Sequence, residues 1–114
     1  MVMRTNLWFP AAILGLHALP AHAQGDVTPA AAEKSLRTCL VTGSSAAPRT
    51  GLREAVLMVR AFCGPQIGRV QDKRVAAATA GREGAAADAA KDRAIRTLND
   101  EIVLAITNFT GLTL

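Results

Sequence analysis

From Leu52 to Val70 the apolar residues Leu52, Val56, Val59, Cys63, Ile67 and Val70 return every three or four positions, the spacing that lines one face of an α-helix. Such a stripe is stable only when it is buried, so the rest of the chain must cover it. Ala55 and Phe62 widen the stripe on one flank, while Arg53 and Arg60 lie on the other, and a face of that width needs more than one neighbour.

A second stripe supplies the first neighbour. Ile95, Leu98, Ile102, Ala105 with Ile106, and Phe109 recur at near-heptad spacing. Between the two stripes lie an alanine-rich run and the Gly81 to Gly84 turn. Folding back about Arg82 and Glu83 pairs Val70 with Ile95, Ile67 with Leu98, Cys63 with Ile102, Val59 with Ile106 and Val56 with Phe109. Every pair is apolar. Two stripes read separately agree on one turn, which predicts a long antiparallel helical hairpin with Lys73 opposite Asp92. The last helix is expected from about Ala85 to about Asn108, with Gly111 just beyond it. Gly64-Pro65 interrupts the first stripe, because proline lacks the amide that would bond to Ala61. Ile67 and Val70 stay in phase across that break, so a kink is expected there and not a reversal.

Upstream, Thr28 followed by Pro29 reads as a helix start, and Leu36, Cys39 and Leu40 form the apolar edge of a short helix ending near Val41. Glu33 and Arg37 stand one turn apart as a favourable pair. The run TGSSAAPRT over 42–50 has loop composition, with Thr50 placed to cap the next helix. Cys39 and Cys63 are the only cysteines. In an exported chain they are expected to form a structural disulfide that staples the short helix across the middle of the hairpin, with Gly64 allowing close approach. They lack the CxxC spacing of a redox pair. The fold class expected is all-α, a small three-helix arrangement.

Export is read from residues 1–23. Arg4, an apolar run from Leu7 to Leu19, and Ala21-His22-Ala23 have the layout of a secretory leader, cleaved before Gln24. The run is shorter than the ~20 apolar residues of a membrane span. Residues 24–114 are expected to form a single small helical domain, periplasmic or secreted, with no membrane span after cleavage. The leader would take away His17, His22, Trp8 and, of thirteen basic residues, only Arg4.

The loss of both histidines narrows the chemistry. Ser-His-Asp and Cys-His catalysis lack their base, and zinc or copper sites lack their usual nitrogen ligand. Asp100-Glu101 is the one adjacent acidic pair, and neighbours on a helix diverge, so it makes neither an acid/base dyad nor a metal clamp. No glycine motif for nucleotides is present. We therefore expect no enzyme, no catalytic residues, no cofactor and no metal. Asn108-Phe109-Thr110 fits a glycosylation sequon at a helix end. Arg69, Lys73, Arg74 and Arg82 gather at one end of the hairpin, and Arg49, Arg53 and Arg60 follow the other. Without stacking aromatics or a reading helix they do not indicate nucleic acid.

The expectation is a small exported protein that acts by binding a protein partner or its own copy. The alternative is weak attachment to polyanions or anionic surfaces of the envelope. On the second helix Leu57 points away from the stripe beside Arg53 and Arg60, so Arg53, Leu57 and Arg60 form the expected partner surface. Leu104 likewise points outward from the last helix, and Met58 falls on a flank that only the first helix could cover.

Overall fold

The computed structural model describes residues 27–114, and the expected leader lies outside the described residues. Four helices follow one another: α1 (Pro29–Ala46), α2 (Leu52–Phe62), α3 (Gly64–Thr79) and α4 (Gly84–Thr110). The described part of the chain is all-helical, and Cys39 and Cys63 sit at disulfide distance with Cα atoms 5.9 Å apart.

Thr28 caps α1, its hydroxyl accepting from the Ala31 N–H at 3.1 Å, and Pro29 opens the helix where its missing amide costs nothing. The helix then runs to Ala46, past the end expected at Val41. Gly43 and Ser44 are buried where α1 meets α2. A Cβ on Gly43 would stand 3.1 Å from Phe62 and 3.2 Å from Val59. The small residues that read as a loop therefore serve a close helix contact. The Ser45 hydroxyl donates to the Val41 carbonyl at 2.9 Å, as it can only within a helix.

The extra turn of α1 changes the topology. With the helix ending at Val41, a tight turn could not bring Cys39 to Cys63. With the helix ending at Ala46, the chain turns over 47–51 and α1 lies antiparallel alongside α2 and α3. Going back along α1, Gly43 meets Val59 and Phe62, Cys39 meets Cys63, and Glu33 meets Arg74. The first helix is thus stapled to the long rod at Cys63 and packs on both arms of the hairpin, running antiparallel to α2 and α3. Close approach occurs at Gly43, while a Cβ on Gly64 would touch nothing within 4 Å. Thr50 does not cap α2 either. The N-cap is Gly51, without a side-chain hydrogen bond, and the Glu54 carboxylate folds so near that a Cβ on Gly51 would stand 2.6 Å from it.

At Cys63 the long helix breaks for one residue (φ −100°, ψ 16°). Hydrogen bonds nonetheless cross the break: the Cys63 N–H donates to Val59 and the Ile67 N–H to Cys63, each at 2.9 Å. Pro65 sits in the first turn of α3, where a free amide is expected anyway. Val59, Cys63, Ile67 and Val70 therefore stay in phase and buried.

Gly81 and Gly84 take positive φ (72° and 57°) in the turn to α4, and Gly111 (φ 74°) closes α4 with its N–H on the Thr107 carbonyl at 2.8 Å. α4 runs antiparallel to α2 and α3, since Arg74 reaches Glu101 and Arg49, far from that turn, donates to the Thr110 carbonyl. One core cluster contains Leu36, Leu40, Val59, Cys63, Ile67, Val70, Leu98, Ile102 and Ile106. Burying each large aliphatic is worth about 1.5–3 kcal/mol. The expected pairing is incomplete at its open end, where Val56 is half-buried and Phe109 is exposed. Phe62, expected to widen the buried stripe, is 60% exposed, because the residue opposite it is a glycine that offers no side chain to cover it.

Candidate functional site

The outward side of α2 carries the residues that stand out. Leu57 is 65% exposed, Met58 56% and Phe62 60%, three large apolar side chains on the outside of one helix. Helix geometry orders them: Leu57 and Ala61 form one row, Met58 and Phe62 the next. Arg53, exposed, and Arg60, half-buried, run along the other side of Leu57. The expected surface of Arg53, Leu57 and Arg60 thus sits on α2 as one margin of a wider apolar strip.

That strip borders a furrow of about 430 Å³ between α1 and α2, lined by Thr42, Gly43, Ala46, Met58, Ala61 and Phe62. None of these is charged. Sequence reasoning missed Met58 and Phe62. It gave Met58 to the cover of α1 and Phe62 to the core, and the signal that could have corrected the second was Gly43, which sets no side chain against Phe62. The furrow continues over the disulfide into a second one lined by Ser35, Thr38 and Gln66, with Lys34 as its only charged side chain. On α4, Leu104 is also exposed.

A second cluster centres on Arg74. Its guanidinium grips Glu33 of α1 through Nε at 2.8 Å and Nη2 at 2.9 Å, and Glu101 of α4 through Nη2 at 2.8 Å and Nη1 at 3.1 Å. These are the ion pairs among the described residues, and Lys73 with Asp92 is not one of them. The Arg74 hydrogen bond holds the Glu33 carboxyl below its ordinary range against the opposing effect of burial, with Arg74 and Arg37 charges adding to the lowering. The hydrogen bonds that Arg74 donates to Glu33 and then to Glu101 raise its pKa. With all three guanidinium nitrogens engaged, Arg74 acts as a clamp joining α1, α3 and α4. The cleft beside it, walled by Leu36, Leu40, Ile102 and Phe109, holds about 210 Å³, under the ~300 Å³ at which ligand pockets begin.

The remaining polar residues do not converge. Glu101 is taken by Arg74 while Asp100 is exposed, and no group of three metal-capable side chains occurs among the described residues. Asn108 is exposed in the last turn of α4, and the Thr110 hydroxyl donates to the Ile106 carbonyl at 2.7 Å. Near the Gly81 turn, Arg82 and Arg93 border a shallow cleft floored by Ala78, Ala90 and Ala94. No helix among the described residues is long and apolar enough to cross a membrane.

Set against known protein families, functionally described proteins and solved structures, the chain matches none of them.

Proposed function

We propose that this chain is a small exported protein, periplasmic or secreted, that works by binding and carries out no catalysis, and that its contact surface is the outward side of α2. The observation that carries the reading is the strip of Leu57, Met58 and Phe62, each more than half exposed, with Arg53 and Arg60 along its margin. An apolar centre with arginine at its edge is the usual composition of a contact surface. Export is supported by the leader pattern of residues 1–23 and by the pairing of both cysteines. The occupant expected from sequence is a protein partner or a second copy of the chain.

Retention from an extract of the producing cell's envelope tests the reading. The wild-type protein is expected to retain its partner at physiological salt, and Leu57→Asp and Met58→Asp to fold and lose it. Retention unchanged in both variants would overturn the assignment of the face. Mass measurement of the isolated protein tests export, with a chain starting at Gln24 expected.

The second reading, attachment to polyanions, has its own support in Arg82 and Arg93 beside the cleft at the turn. It predicts binding that falls steeply with salt and is lost on replacing those two arginines by alanine.

A further inference from the structure

We propose that the outward face of α2 rests on an anionic lipid surface, with Leu57, Met58 and Phe62 among the acyl chains' upper carbons and Arg53 and Arg60 on the lipid phosphates. This deepens the binding reading above and rests on it, naming the partner that suits the face.

Three observations favour lipid. The first is shape. Leu57, Met58 and Phe62 stand out from one helix at 56–65% exposure beside a shallow uncharged furrow, and a fluid surface accommodates such relief without needing a complementary mould. The second is charge. Arg53 and Arg60 run along one side of the ridge and Lys34 lies beyond the furrow, while the exposed Glu54, one turn before Met58, directs its carboxylate toward Gly51 at the start of the helix. Arginine stems can lie along apolar surface while their guanidinium groups reach the headgroups. Without residues 1–23 the chain keeps twelve basic residues against nine acidic ones, a formal charge of about +3, so long-range attraction to an anionic leaflet has the right sign.

The third is preorganisation. An interfacial peptide helix ordinarily orders itself on the surface at an entropic cost. Here the helix is already formed, its C-terminal end fixed where Cys63 meets Cys39 and its inner face buried through Ala55 and Val59. The neighbouring side of α1 offers Thr42, Gly43 and Ala46, small and uncharged, so nothing there holds the ridge away from a flat surface.

The test is co-sedimentation of the full protein, as its host produces it, with vesicles of phosphatidylcholine alone or with a third of phosphatidylglycerol. Binding to the anionic vesicles is expected, with little to the neutral ones, and it should weaken with salt. Met58→Asp should reduce it about tenfold or more with helical circular dichroism unchanged. Leu57→Trp should keep binding and shift its emission to the blue on anionic vesicles, a readout independent of pelleting. Arg53→Glu with Arg60→Glu should abolish binding. Binding to neither vesicle overturns the proposal. So does anionic binding that Met58→Asp leaves intact, because charge alone would then suffice. If vesicles are not bound but Met58→Asp abolishes retention of an envelope protein, lipid is excluded and the binding reading stands. If Met58→Asp changes neither, both fall.

Discussion

The two ends of the molecule are built differently. Around Cys63, α1, α2 and α4 close on one another through Gly43, Ala55, Val59, Leu98, Ile102 and Ile106, with the Cys39–Cys63 pair at the centre. Around the Gly81 turn the paired helices are alanine-rich, and between Val70 and Ala90 no residue is buried. The stapled end is thus apolar within and, on α2, apolar without, whereas the turn end is lightly packed and basic. The difference teaches where stability resides. The stapled end has enough core to carry an exposed apolar ridge, and the turn end relies on helix propensity and the Arg74 clamp.

The contrast is broken most severely by a polar residue in the stapled core. Ile102→Asn is expected to cost about 4–5 kcal/mol or to prevent folding, since it loses buried aliphatic volume and adds an unpaired amide. Ala86→Asn at the turn end should cost under about 1 kcal/mol. Chemical denaturation of the two variants compares the ends directly. Comparable losses would remove the distinction.

Reduction comes next. Opening the bond between residues 24 apart should lower stability by about 3 kcal/mol in the chain-entropy account, read as a fall in melting temperature. A melt unchanged by reductant would place the stability elsewhere. Ser44→Ala should do the opposite. The Ser44 hydroxyl is fully buried with no protein hydrogen-bond partner, so its removal should stabilise the stapled end by about 1 kcal/mol.

A smaller effect belongs to Arg74. The Glu33 carboxyl titrates below its ordinary value of 4.5, so its contribution is full above that value and is lost as pH falls through the lowered one. Melting of wild type and Arg74→Gln should differ at neutral pH and converge in acid. The smallest effect is expected on the ridge itself, where Met58→Asp should change stability by less than about 0.5 kcal/mol while changing binding.

Much of this was legible in the sequence. The periodic residues from Leu52 to Val70 and from Ile95 to Ile106 sufficed for the hairpin, because a helix that buries a stripe must repeat it. Gly111 and Thr28 marked their helix ends by local geometry alone. The stretch 42–50 was misread because Gly43 and Ser44 have loop composition, and only a neighbouring helix makes small residues useful inside a helix. That one misreading shortened α1 and left Met58 to its cover, whereas Phe62 was misplaced by the stripe of α2 itself. Leu57, whose position depends on the period of α2 alone, was unaffected. The Arg74 clamp joins residues 41 and 27 positions apart in sequence, and no local pattern predicts such partners.

The most direct test of the account sets the two ends against each other in binding. Met58→Asp and a variant carrying Arg82→Ala with Arg93→Ala would be compared with wild type for retention on envelope isolated from the producing cell. The account predicts that Met58→Asp is lost from the envelope while the double arginine variant is retained like wild type; loss of the arginine variant with retention of Met58→Asp would contradict it and move the binding site to the turn.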